Sequence, residues 1–255
     1  MTSLNHTGFK DHFSSLADNY ASFRPNYPPQ LFSWLAGVVP AKSLAWDCAA
    51  GSGQATLGLT QHFERVVATD ASHTQISAAP SCNGVEYRVA LAEESGLPDA
   101  CVDLIVVAQA LHWLDLDRFY REVARVLVPH GVLAVWCYGV QQVEGKEIND
   151  LLLRFYSETV GPYWPPERRL VESGYQAIQF PFEEIAGPLF DMEMHWTLPE
   201  LLGYMRSWSA TSRFIIDQGH DPVELLGQEL KPLWGSSGKT RWVRWPLSFR
   251  VGRKP

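Results

Sequence analysis

Trp46-Asp47-Cys48-Ala49-Ala50-Gly51-Ser52-Gly53-Gln54-Ala55-Thr56 is followed by Val66-Val67-Ala68-Thr69-Asp70. An apolar strand runs into an acid and a loop of small residues, and a second strand ends in another acid. Glycines let a backbone approach a ligand closely, and a carboxylate at the tip of the next strand can accept hydrogen bonds from ribose hydroxyls. The stretch predicts an α/β protein with a nucleoside pocket.

Strands and helices alternate outward from this stretch. Strands are expected at Ser43–Ala49, Arg65–Ala71, Val85–Ala90, Val102–Gln109 and Gly131–Tyr138, with helices at Gln54–His62, Ser72–Ala79 and Asp117–Leu127. Val102-Asp103-Leu104-Ile105-Val106-Val107-Ala108-Gln109 is nearly all apolar, as a strand covered on both faces must be. Phe119, Tyr120, Val123, Val126 and Leu127 recur on one helical face, and Pro129 with Gly131 is expected to end that helix. The repetition predicts a doubly wound, parallel sheet.

Before this core, Phe9, Phe13, Leu16, Ala17 and Tyr20 fall at helical spacing. Phe23-Arg24-Pro25-Asn26-Tyr27-Pro28-Pro29 breaks that helix, and the two prolines can start another running to about Gly37. After the core, helices are expected at Glu144–Gly161, Pro166–Gly174 and Leu198–Ala210, and strands at Asp191–Trp196 and Arg241–Val251. Pro246 suggests an edge position or a bulge for the last strand. The whole is read as a single domain of residues 1–255: N-terminal helices to residue 40, a ligand-binding core at 41–140, and a helical cap with two final strands at 141–255.

Composition narrows the function classes. The chain has 255 residues and a formal net charge of −7, which disfavours a nucleic-acid binder held by phosphate contacts. No stretch approaches the roughly 18 apolar residues needed to span a bilayer, and Met1–Lys10 has no signal-peptide core. Cys48, Cys82, Cys101 and Cys137 form no C-x-x-C pair and stand at no zinc-like spacing with histidines, so no metal site is expected. A reducing cytoplasm is the expected setting. Of the ten tryptophans, five lie after residue 195.

The loop itself discriminates between cofactors. A dinucleotide loop reads G-x-G-x-x-G, but the third position after Gly51 and Gly53 is Thr56. A phosphate loop needs a lysine that is absent here. A pyrophosphate would be repelled by Asp47, whereas a cationic sulfonium ligand bearing an amino group would not.

This pattern resembles motif I of the class I S-adenosylmethionine-dependent methyltransferases. Asp70-Ala71-Ser72, then Ala92-Glu93 with Leu97-Pro98-Asp99 and Val102-Asp103-Leu104-Ile105, are similar to later blocks of that family. Ala124-Arg125-Val126-Leu127-Val128-Pro129-His130-Gly131-Val132-Leu133 is similar to its R-V-L-K-P-G-G-x-L block, with His130 in place of the first glycine. The segment from Phe13 to Pro28, with Ala108-Gln109-Ala110-Leu111-His112-Trp113, resembles the type 11 small-molecule branch and the trans-aconitate methyltransferase-like proteins, which methylate carboxylates. The resemblance implies a Rossmann-like methyltransferase fold: seven strands, mostly parallel, an antiparallel last strand, and helical cap and lid segments. It also implies S-adenosyl-L-methionine as cofactor and a small molecule as methyl acceptor. The departure is Ala49, where glycine is common; alanine is tolerable there if φ is negative.

The resemblance places residues around this cofactor. Asp70 takes the ribose hydroxyls, or is a strand-end acid; Ser72 is available as the cap of the following helix. Gly51 and Gly53 admit the cofactor. Asp47 orients the loop amides or reaches the ammonium through water. Ala71, Ala92 and Glu93 edge the nucleoside, Glu93 being equally readable as a surface carboxylate. The Gln109 carbonyl is placed to hold the methionine amine. Tyr20 and Arg24 belong to the lid, where Tyr20 covers the cofactor and Arg24 pairs with a carboxylate. Tyr27 and Trp113 are candidate acceptor contacts, as are Trp196, Tyr204 and Trp208 in the cap, for which core packing is the alternative. Tyr204 and Trp208 are four apart on the expected helix and would share a face.

Methyl transfer is an in-line displacement in which a protein supplies alignment and excludes water. A carboxylate acceptor is already ionised at neutral pH. An amine or phenol would need a base, and His112 is the candidate by position and ordinary pKa. The N/D-P-P-Y/F run of amino-directed DNA methyltransferases and the Pro-Cys of cytosine-C5 enzymes are absent after the fourth strand, where Ala108-Gln109-Ala110-Leu111 stands. Two other readings remain open: a catalytically silent cofactor-binding adaptor on the same fold, and a nicotinamide-dependent dehydrogenase, which the missing third glycine disfavours.

Overall fold

The structure, a computed structural model, describes residues 25–236 and 238–255. The expected helix through Phe9 and Phe13 and the lid residues Tyr20 and Arg24 lie outside the described residues.

Five parallel strands form the centre: β1 Leu44–Cys48, β2 Arg65–Asp70, β3 Val85–Val89, β4 Val102–Ala108 and β5 Leu127–Tyr138. Their order is β3-β2-β1-β4-β5, so the chain reverses its direction of travel across the sheet between β1 and β4. The carboxyl ends of those two strands therefore border the crevice where ligands collect in open α/β sheets. Odd and even positions separate cleanly. Leu104, Val106, Val132, Ala134 and Trp136 join one core cluster, and Ile105, Val107, Leu133, Val135 and Cys137 join the other. Burial on both faces accounts for the unbroken apolar run of β4.

The connecting helices are α1 Pro29–Val38, α2 Gln54–Leu59, α3 His73–Ala78 and α4 Leu116–Val126. α1 begins at Pro29, as the paired prolines predict. α4 buries Phe119, Val123 and Val126 and is capped by Asp115, whose carboxylate accepts from Arg118 N. The helix ends before Pro129 and Gly131 are reached. Leu127 already has extended geometry and starts β5, four residues earlier than expected. His130 stands at φ 63, the left-handed region that explains why glycine is usual there.

β9, Arg241–Arg253, joins the core to the cap. Its residues 247–253 pair antiparallel with β5, and residues 241–246 pair with β8, Asp191–Trp196. Two-residue strands β6, Gln142–Val143, and β7, Glu183–Glu184, add to its flanks. Pro246 is at no bulge, but its nitrogen faces a local edge within a strand that is otherwise paired on both sides. Leu247 N donates to Phe190 O on the β8 side, so position 246 turns its nitrogen to the other side. There β5 has ended at Tyr138 and β6 begins only at Gln142, so the missing N–H removes no ladder bond.

The cap comprises α5 Lys146–Arg154, a π turn at Phe155–Thr159, α6 Arg168–Glu172, α7 Leu198–Arg206, α8 Ser209–Gln218 and α9 Pro222–Trp234. The expected helix Leu198–Ala210 breaks at Ser207 and Trp208: Ser207 Oγ bonds Tyr204 O, and Trp208 becomes the extended residue before α8. Among the described residues no helix is long and apolar enough to cross a membrane.

Candidate active site

The glycine loop is laid over the tip of β2. Ala50 N donates to Thr69 O at 2.9 Å, Gly51 N donates to Asp70 Oδ2 at 2.9 Å, and Gly53 N donates to Ala50 O at 3.0 Å. Asp70 Oδ1 accepts from Ser72 N at 2.8 Å, while the Ser72 hydroxyl caps α3 by accepting from Gln75 N. Asp70 is thus not the helix cap. It organises the loop from the strand end, with Ala71 beside it.

Gly51 and Gly53 stand at φ 57 and 87. A Cβ on Gly53 would lie 2.9 Å from the Tyr87 hydroxyl oxygen, whereas one on Gly51 would meet nothing nearer than Gln75 Oε1 at 3.8 Å. Gly53 is required by packing and φ; Gly51 is required by φ and leaves an open flank. Ala49 does not meet the condition of negative φ. It stands at φ 54, a conformation that costs an L-residue roughly 1 kcal/mol.

Asp47 is fully buried in β1. Its Oδ2 accepts from Thr56 Oγ1 at 2.6 Å, and among the described residues its Oδ1 has no hydrogen-bond partner. Burial pushes this carboxyl up to about 7, with Asp70 adding to the effect and Thr56 opposing it. Thr56, the residue that spoils the dinucleotide pattern, holds the acid in place, a role with no local sequence signal. A buried carboxyl raised to about 7, beside a positive-φ glycine loop and a strand-tip acid, is driven to its ionised form by a cationic nucleoside and away from it by a phosphate.

The adenine-edge candidates divide. Ala92 is buried, whereas the Glu93 side chain accepts from Asp115 N at 2.9 Å and so ties its loop to the start of α4. Gln109, at φ 59, uses its side chain as a strand would use its backbone: Oε1 accepts from Tyr138 N at 2.8 Å and Nε2 donates to Tyr138 O at 3.1 Å. With Gln109 N donating to Trp136 O at 2.8 Å, that pairing extends the β4–β5 seam past the end of β4.

Beyond Gln109 lies a cavity bordered by His112, Trp113, Tyr138, Trp164, Arg168 and Trp208, with Tyr204 contributing. Core and cap each supply part of the wall. His112 Nδ1 is 2.9 Å from the Tyr175 hydroxyl, and its ring lies 4.6 Å from that of Trp113. Burial, reinforced by Arg168, lowers the His112 pKa to about 3. The imidazole is therefore neutral at pH 7 and a weak base.

Arg168 is a site residue that sequence reading missed. Its guanidinium lies 4.7 Å from the Trp164 ring centre, and its Nε donates to the Tyr156 hydroxyl at 2.8 Å. Among the described residues it forms no ion pair. Nothing in Glu167-Arg168-Arg169 distinguishes the cavity arginine from its exposed neighbour Arg169. Only the folding of α6 against the core does so.

The remaining candidates are placed as follows. Trp208 and Tyr204 border the cavity with rings 5.7 Å apart, although they do not share a helix. Trp196 is not on the cavity wall; it is packed in the core against Trp245 at 5.0 Å and Tyr204 at 5.5 Å. Tyr27 is buried against Trp136 at 5.4 Å and borders a separate groove between α1 and α2.

Residues 46–135 match the family described as the methyltransferase domain. A Dictyostelium discoideum protein named as a methyltransferase is 38% identical over 256 residues, covering 97% of both chains. A solved structure from Anaeromyxobacter dehalogenans, described as a type II methyltransferase, is 44% identical with a TM-score of 0.86, covering 91% of this chain and 98% of that one. An uncharacterized methyltransferase of Mycobacterium tuberculosis is 39% identical over 128 residues, 49% of this chain and 51% of its own.

Proposed function

The chain belongs to the class I S-adenosylmethionine-dependent methyltransferases, and from that premise we propose that it methylates the carboxylate oxygen of a small molecule. The observation that carries this reading is the pairing of Arg168 with His112 in one aromatic cavity. A guanidinium with no ion-pair partner among the described residues invites an anionic acceptor, which it can hold by a charge-assisted contact. A histidine lowered to about 3 is a poor proton acceptor at neutral pH, which disfavours amines and phenols that must lose a proton. It suits an oxygen that is already ionised.

S-Adenosylmethionine supplies the electrophilic methyl group. On this reading Asp70, Gly51 and Gly53 hold its nucleoside, Asp47 favours its positive charge, and the Gln109 backbone borders its amino-acid end. Ala71 and Ala92 flank the adenosine. Trp113, Tyr204 and Trp208 exclude water from the acceptor, so that the protein contributes alignment rather than proton transfer.

The test is a panel of carboxylic acids, amines and phenols incubated with S-adenosylmethionine, with products read by mass spectrometry. Methyl esters are expected. Transfer confined to amines or phenols would overturn the proposal.

A further inference from the structure

Tyr175 belongs to neither the cofactor loop nor the cavity wall, yet its placement is heavily determined. It is fully buried and stands at φ 60, directly after Gly174 at the same φ. A Cβ on Gly174 would sit 2.6 Å from Ser248 Oγ, so the chain passes tight against β9. Arg250 on β9 donates to Tyr175 O at 2.7 Å and to Ile178 O at 2.6 Å, and is itself clamped by Glu184 through two contacts of 2.7 and 3.0 Å. A left-handed backbone at a bulky residue persists only where its surroundings over-determine it. Here the sheet, an ion pair and a glycine all do so.

We propose that Tyr175 is a positioning residue that fixes His112 as the tautomer protonated on Nε2, making His112 a hydrogen-bond donor to the acceptor. The geometry is the argument. A neutral imidazole carries one N–H, and the nitrogen that accepts a hydrogen bond decides which one. Burial raises the Tyr175 phenol well above its ordinary value, so it keeps its proton. Among the described residues no other acceptor is hydrogen-bonded to this hydroxyl, so its proton goes to Nδ1 at 2.9 Å. Nε2, on the opposite edge of the ring, is the nitrogen left for the cavity. Its N–H can orient one carboxylate oxygen and leave the other aligned for transfer. Arg168 and Tyr175 are the charged and titratable groups identified against this ring, and neither removes the Nε2 proton.

The inference rests on the cavity being the acceptor site, but its first test does not require turnover. Nitrogen-15 NMR of histidine-labelled protein, with His112 assigned by loss of its signals in His112→Gln, reads the tautomer directly. The expected result is an Nε2-protonated signature that persists unchanged from pH 8 to pH 5. Tyr175→Phe keeps the ring and removes the hydroxyl; a mixed tautomer signature is expected, with lower kcat on any carboxylic acid the wild type methylates and little change in S-adenosylhomocysteine affinity. An Nδ1-protonated His112 in the wild type would overturn the inference, and so would a folded Tyr175→Phe with an unaltered signature. Failure of every carboxylic acid as acceptor would sink the carboxylate reading and leave the tautomer result standing.

Discussion

Asp70 Oδ2 accepts a hydrogen bond from Gly51 N at 2.9 Å, across 19 positions of sequence. The strand-tip acid and the first glycine of the loop are therefore one unit, and the loop's shape depends on a charge two elements away. Asp70→Ala should weaken S-adenosylhomocysteine binding at least about 100-fold by calorimetry, since charged hydrogen bonds contribute roughly 1.5–3 kcal/mol each. Near-normal affinity would refute the cofactor site.

Ala49 at φ 54 makes the opposite prediction. Ala49→Gly relieves a left-handed alanine at the cost of a looser unfolded chain. The net gain should be at most about 0.5 kcal/mol, a rise of roughly 1–2 °C in Tm by scanning calorimetry. A lower Tm would show that the strain is absent.

Arg168→Met should raise KM for carboxylate acceptors by about 10- to 100-fold while S-adenosylhomocysteine affinity stays the same. Arg168→Lys should recover only part of the loss, because the planar guanidinium stacked on Trp164 has no equivalent in an ammonium. An unchanged KM in steady-state kinetics would remove Arg168 from the acceptor site.

His112→Ala should lower kcat about tenfold without changing the shape of the pH–rate profile between pH 6 and 9. A group lowered to about 3 does not titrate in that window. Loss of an ascending limb near pH 6.5 in the variant would reinstate His112 as a base.

Two buried groups should oppose each other in the pH dependence of stability. The His112 pKa is depressed, so the unfolded state binds more protons between pH 3 and 6.5 and the folded state loses stability as pH falls through that range. Asp47 is raised from 3.8 to about 7, so the folded state binds more protons and loses stability as pH rises from 4 to 7. Denaturant titrations of Asp47→Asn should therefore be stabilised relative to wild type at pH 8 more than at pH 5. Equal effects at both values would mean that Asp47 ionises normally.

The core was legible because its signals are local. Alternation of apolar residues, acids at strand ends and the glycine loop located β1 to β5 to within a few residues, apart from the early start of β5 at Leu127. The cap was less legible because tertiary contacts override its local patterns. The break at Ser207 lies inside a good helical pattern, and Pro246 is tolerated because of where two other strands happen to stop. The cavity beside His112 was hardest to see. Trp208 could be named from its aromatic character, but Arg168 becomes visible only when α6 is packed against the core, and Trp196 is drawn inward by Tyr204 and Trp245.

β9 has a consequence for how such a protein diversifies. One unbroken strand is hydrogen-bonded first to β8 and then to β5, so cap and core share one continuous sheet. Trp164, Arg168 and Trp208 border the cavity from cap segments outside that strand, so their side chains can be exchanged without touching the ladder.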